Sequence, residues 1–223
     1  GAIAAAYGSV SAVTFVTAVS FLEQHHVFYS GHMVAVMAMM EAPSIIIGVL
    51  LMQWFREADQ PAMKCWPILR HSITNGSVVL ILGSLVIGFL ANEEQAMGIQ
   101  PFTSDLFKGF LAVFLLDMGI TSGRKIASLV DSGWFPFVFS VIIPLVNGVI
   151  VSIASGAITS HNGNQFLFGI LAASASYIAV PAAMRIAAPE ANPGLYIPMA
   201  LAITFPFNIT LGMPLYYWLS EIY

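Results

Sequence analysis

Charge is what this sequence has least of. Lys, Arg, Asp and Glu together make up 8% of its 223 residues, against about 25% in an ordinary soluble domain. Charge so sparse cannot cover a water-facing surface, which excludes a soluble domain. Cysteine is almost absent: the one thiol, Cys65, excludes an internal disulfide framework. The net charge is −4 and there is no basic stripe, so nucleic acid is not an expected partner. No hydrolase triad, phosphate loop or zinc spacing is present, and an enzyme is not expected. His25, His26 and His32 straddle a loop and a helix start with no carboxylates arranged around them; they read as solvated side chains rather than metal ligands.

What the sequence does have is apolar length. Apolar types are 58% of the chain, in runs of about 18–25 residues, the length that crosses a hydrocarbon core of about 30 Å. Seven spans are expected, at about 1–22, 30–53, 71–91, 106–123, 134–157, 166–187 and 194–219, joined by short loops. The runs are apolar all round, whereas barrel strands would alternate in polarity every second residue. The fold class is therefore an all-α integral membrane protein.

The basic residues orient it. Arg56, Lys64 and Arg70 fall in loop 54–70, Arg124 and Lys125 open loop 124–133, and Arg185 precedes loop 188–193. With seven spans all six lie on one side and only Lys108 on the other, which places residue 1 inside and the C-terminus outside. A missed or invented span would scramble that pattern.

The chain also repeats itself. Shifted by 167 residues, Ile3, Ala5, Ala6, Ser9, Ala12, Val13, Glu23 and Tyr29 fall on Ile170, Ala172, Ala173, Ser176, Ala179, Val180, Glu190 and Tyr196. A four-residue gap then brings Pro43 onto Pro206. Five spans separate the copies. Because five is odd, they run in opposite directions through the membrane, as in the inverted repeats of secondary transporters. Spans 1 and 2 pair with 6 and 7. Spans 3 to 5 have no counterparts, so ten helices are expected in the native protein, in two inverted five-helix repeats, with three of them before Gly1. The organisation is then 1–53, the last two helices of the first repeat; 54–70, a cytoplasmic linker; and 71–223, the complete second repeat.

The chemistry gathers in spans 1 and 6. Span 1 carries Gly8, Ser9, Ser11 and Thr14; span 6 carries Ser174, Ser176 and Pro181. Small residues let helices approach closely, and simple packing would need nothing more. Gly and Pro also let a helix break where it lines a cavity. A half-helix start favours an anion, while freed carbonyls and hydroxyls hold Na⁺; the repeat tips the reading toward such a site. Glu41, two residues before Pro43 in mid-span 2, could hold a cation, relay a proton or pair with a base, or be a protonated structural residue. Its counterpart is Thr204, with Asn208 one turn on. Asp117 in span 4 lies about two turns from Arg124 and could serve transport, snorkel or pair. Tyr216, Tyr217 and Trp218 read as an interfacial belt.

The stretch AASASYIAVPAAMRIAAPEANPGLYIPMALAITFP, residues 172–206, resembles the bacterial sodium-dependent bicarbonate transporter family, best known from cyanobacteria. Ser140, Pro144 and Gly148 in span 5, Met118 and Gly119 in span 4, Gly8, Ser11, Thr14, Leu22 and Glu23 in span 1 and Pro43 in span 2 extend the resemblance along essentially the whole chain. It implies ten helices in inverted repeats, a homotrimer in the bacterial plasma membrane, uptake of bicarbonate with Na⁺ as the coupling ion and no other cofactor, and a PII-type regulator. The presumed site is Gly8, Ser9, Ser11, Thr14, Glu41, Ser174, Ser176, Thr204 and Asn208, with Glu41, Ser174 and Ser176 as Na⁺ ligands. The chain also departs from the family pattern. Tyr177 stands where an Asp is usual, Ala12, Ala179 and Val180 replace small polar or Gly positions, Val13 replaces a Ser, and Glu41 replaces a shorter Asp. Loop 54–70 is short, which weakens the case for the PII-type partner. These changes remove polar groups from the site. They leave open another small anion or carboxylate with Na⁺ or H⁺ coupling, or a non-transporting membrane sensor.

Overall fold

The computed structural model describes residues 2–40, 47, 76–130, 133–178, 180, 181, 184 and 192–222. Among them the regular elements are all helical: α1 (Ala2–Gly8), α2 (Ala12–Gln24), α3 (32–40), α4 (Gly76–Leu90), α5 (Glu93–Gln100), α6 (Phe107–Val130), α7 (Trp134–Ala154), α8 (Asn162–Ala173) and α9 (Pro193–Ile222). A helix satisfies its own backbone, which hydrocarbon demands. Four segments are long and apolar enough to cross a membrane: Ala2–Gln24, Glu93–Ile126, Trp134–Ala157 and Pro193–Ile222. They match expected spans 1, 4, 5 and 7. Spans 2, 3 and 6 run into positions outside the described residues, as do Glu41, Pro43, Ala179, Arg185 and the whole 54–70 linker with Cys65.

One segment departs from the sequence reading. Residues 92–105, expected as a loop, are helical from Glu93 onward. Asn92 closes a capping box: its Oδ1 accepts the Gln95 amide at 2.8 Å, and Gln95 Oε1 accepts the Asn92 amide at 3.1 Å. Pro101 then enters a π-helical turn, Pro101–Leu106, that leads into α6. Apolar length marks where a helix enters a membrane, not where the helix begins. The 34 residues of Glu93–Ile126 extend about 50 Å at 1.5 Å per residue, so the polar first turns stand clear of the hydrocarbon.

The packed centre is built on α7. Pro136, Ser140, Pro144, Gly148 and Ser152 form a buried stripe, one residue every four, while Val138, Ile142, Val146 and Ile150 on the other side are exposed. The stripe is narrow enough for α8 and α9 to settle onto it. A Cβ on Gly169 would strike Ser152 Oγ, and one on Gly148 would enter the Tyr216 ring. α9 contains two further π turns, Met199–Thr204 and Asn208–Gly212, each preceded within two residues by a proline, Pro198 and Pro206. Proline offers no N–H to the carbonyl four residues back, and the ladder slips there.

The chain ends expected on the outer side do converge. Lys108 Nζ meets Glu23 at 3.2 Å, the Ser30 amide donates to Asn164 Oδ1 at 2.8 Å, the Phe28 and His161 rings stack edge to face, and Phe21 meets Tyr217. At the other end Ala5, Ala6, Val180, Met184 and Tyr196 pack together. The α1–α2 span and α8 therefore run antiparallel, and Lys108, the one basic residue expected on the outer side, pairs with Glu23.

Candidate functional site

Both expected interruptions are present. Gly8 closes α1, and the Ser11 backbone turns extended (φ −109°, ψ 113°) so that its Oγ caps α2 by accepting the Thr14 amide at 3.2 Å. A serine with extended backbone is a favoured helix start, so Ser11 begins a new helix rather than continuing the old one. α8 stops at Ala173, and residues 174–178 are non-helical. Helix resumes at Val180 and Pro181, where a missing N–H is harmless because first-turn amides have no partner within the helix. Ser176 Oγ accepts the Val180 amide at 3.2 Å. Ser9 shifted by 167 is Ser176, and each lies in a break.

The breaks cross and are stitched together. The Ser176 amide donates to the Ala6 carbonyl at 2.8 Å, and the Ser11 amide donates to Ser174 Oγ at 3.1 Å. Ser174 Oγ in turn donates to the Leu171 carbonyl at 2.8 Å. Asn208 Nδ2 reaches the Ala173 carbonyl at 2.7 Å. One orphaned end carbonyl of α1, that of Ala6, and one of α8, that of Ala173, are thus met from a distant part of the chain.

A second network braces α1. Pro144 cannot donate to the Ser140 carbonyl, and Thr204 Oγ1 donates to that carbonyl instead at 2.8 Å. Ser140 Oγ donates to the Pro136 carbonyl. By elimination the single Tyr7 proton bridges Ser140 Oγ, at 3.0 Å, and Thr204 Oγ1, at 2.8 Å. Among the expected site residues Thr204 therefore ties three helices together, and Ser174 is committed as both donor and acceptor. Ser11 and Ser176 each accept a backbone amide and keep a hydroxyl proton. Three groups at or beside the breaks are buried with no hydrogen-bond partner among the described residues: Ser9 Oγ, Asn208 Oδ1 and the Tyr177 hydroxyl. Buried polar atoms are seldom left so, which marks them as the groups free to take a ligand. Glu41 lies outside the described residues.

Among the described residues the electrostatics of the site are those of hydroxyls and backbone. Among the described residues no charged side chain is buried. Asp117 faces a separate cavity of about 590 Å³ between α2 and α6, lined by Ala12, Val13, Val16, Phe110 and Phe114 among others, and makes no ion pair among the described residues. His25 stacks on Phe21 and bonds its carbonyl at 2.8 Å at the exposed end of α2, as a solvated residue would. Sequence reasoning did not single out Tyr7 as a member of the network, although it sits in the same run as Gly8 and Ser9. It read Tyr177 as a polar group lost, whereas the structure delivers its hydroxyl to the crossing.

No curated protein matches the chain. The family model described as the Na⁺-dependent bicarbonate transporter superfamily matches residues 1–221. With two crossed, interrupted helices in an all-helical scaffold of membrane-spanning length, and a match over nearly every residue, this chain belongs to the Na⁺-dependent bicarbonate transporter superfamily, a family of transporters and not of enzymes.

Proposed function

We propose that the protein is a secondary symporter that takes up bicarbonate with Na⁺ across a bacterial plasma membrane, as a homotrimer of ten-helix protomers built from inverted repeats. The observation that carries this reading is the pair of stitched breaks holding unpartnered buried polar atoms. The anion lies between the breaks, where the Ser9, Ser11 and Ser176 hydroxyls and the free amides of the first turn of α2 converge on one negative charge. Na⁺ takes oxygen ligands, and Asn208 Oδ1 is a neutral buried oxygen without a hydrogen-bond partner among the described residues. Glu41 and the hydroxyl oxygen of Ser174 complete the cation's surroundings in this reading. The correspondence of Ser9 with Ser176, and of Ala6 with Ala173, at a constant offset of 167 supports the inverted repeat.

Transport then proceeds as one helix group rocks or slides against another. α6 meets the crossed helices through Lys108 with Glu23, Ser122 Oγ donating to the Leu201 carbonyl at 2.8 Å, and Leu115 and Met118 against the cluster around Tyr177, and it is suited to be one surface of that movement. The test is uptake of radiolabelled bicarbonate into proteoliposomes holding the full-length gene product, with and without an inward Na⁺ gradient. Uptake that needs the gradient is expected. Gradient-independent uptake would remove the Na⁺ coupling, and no uptake from well-folded protein would remove the bicarbonate.

A further inference from the structure

Tyr177 stands inside the second break and is only 7% exposed. Its ring meets Phe205 edge to face, with centroids 5.6 Å apart, and packs with Ala175, Ala200 and Leu201. Its hydroxyl lies against the side chains of Ser11 and Thr14, yet it is in hydrogen-bond geometry with no group among the described residues. Ser11 is the N-cap of α2, a helix of 13 residues, and Thr14 is the third residue of that helix. A buried O–H without a partner is therefore brought from one broken helix to the positive end of the other. A hydroxyl is not left unpaired in a dry interior without cost, and an anion at that helix end is the acceptor it lacks.

We propose that the Tyr177 hydroxyl donates directly to the transported anion at the start of α2, and that its ring sets the size limit, so that the site takes a small monovalent oxyanion and refuses divalent or bulkier ones. This rests on the crossed breaks being the anion site. The charge preference follows from what surrounds the hydroxyl. A helix start contributes about half a positive charge, hydroxyls contribute none, and among the described residues no cationic side chain is buried. That environment balances one negative charge and leaves a second uncompensated. The size limit follows from the walls: Tyr177, Phe205 and Val13 share one apolar cluster, so a bulkier anion beside the hydroxyl would have to displace the Tyr177 ring from its place on Phe205. Tyr177 is thus a substrate contact in its own right, and its replacement of a shorter acidic residue does not empty the site.

The test is calorimetric titration of the purified full-length protein with bicarbonate, formate, propionate and sulfate, for the wild type, Tyr177→Phe and Tyr177→Ala. Wild type is expected to bind bicarbonate and formate but not sulfate. Tyr177→Phe keeps the ring on Phe205 and should melt like wild type without anion. It should bind bicarbonate at least about tenfold more weakly, the usual effect of removing a hydrogen bond to a charged group. Tyr177→Ala should gain propionate. Bicarbonate binding to Tyr177→Phe equal to that of wild type would overturn the donor role, and unchanged exclusion of propionate by Tyr177→Ala would overturn the size limit. Sulfate binding by wild type would overturn the charge preference. Wild type that binds none of the four would overturn both this assignment and the reading of the crossing as the anion site.

Discussion

The crossed-helix centre, made of α1, α2, α7, α8 and α9, and the arm of α4 to α6 are both helical and both apolar, yet they are held in different ways. In the most apolar stretch of α9 half of the residues are buried; in that of Glu93–Ile126 only 6% are. The arm turns Phe89, Leu90, Phe110, Val113 and Leu116 outward. The centre spends its polar residues on ties between helices, from Tyr7 to Thr204 and Ser140, from Asn208 to Ala173, and from Ser176 to Ala6. In a bilayer, hydrocarbon on the surface exerts no pull toward the interior, since lipid tails are as apolar as leucine. Close fit and hydrogen bonds are left to hold a geometry, and they are concentrated where an anion would have to be gripped.

The sharpest way to break that contrast is to put the same methyl group into each region. Gly148→Ala in α7 drives a Cβ into the fully buried Tyr216 ring. It should destabilise the protein by about 2 kcal/mol, typical of an overpacked core, seen as a lower melting temperature in detergent. Gly119→Ala in α6 meets nothing within 4 Å and should melt at the wild-type temperature or slightly above it, because alanine favours a helix. Equal losses at both sites would erase the distinction between centre and arm. The next largest effect belongs to Thr204→Val, which keeps the shape but strands the Ser140 carbonyl and takes one acceptor from Tyr7. A loss of about 1–2 kcal/mol is expected on the same melting measurement, and no change would mean that the network is ornamental. Smallest is Glu23→Gln. Its pair with Lys108 is roughly half exposed on both sides, and such pairs contribute little. Melting should shift by no more than about 0.5 kcal/mol in equivalent stability, and a larger loss would show that this pair holds α6 to the centre more firmly than an exposed ion pair should.

Much of this was legible in the sequence, for identifiable reasons. Hydrocarbon imposes a length, so spans 1, 4, 5 and 7 could be read from apolar runs. Serines beside a glycine or a proline foretold both breaks, because those residues start new helices more readily than they continue old ones. What could not be read was which hydroxyl remains free. Ser9 and Ser174 look alike in sequence, and only the crossing shows that the Ser174 hydroxyl proton goes to Leu171 and its oxygen accepts from Ser11, while Ser9 Oγ has no hydrogen-bond partner among the described residues. The place of the Tyr177 hydroxyl was hidden for a similar reason: a large aromatic in place of a small acid looks like a loss until the position of its hydroxyl is known. The helical start at Glu93 was hidden because its signal is a capping box in a polar segment, and apolar periodicity says nothing there.

Pro144 carries a consequence of a different kind. An ordinary helical residue at that position would close the bond to the Ser140 carbonyl from within α7, and the helix would be self-sufficient. By withholding one proton, the proline turns an internal connection into an external one, and the carbonyl becomes a socket that only a neighbouring helix can fill. The rigidity of α7 is thereby lent to the assembly: the helix is complete only once Thr204 has arrived, so α9 must be in place before α7 is finished. Replacing this proline with a better helix former would make the part stronger and the whole weaker.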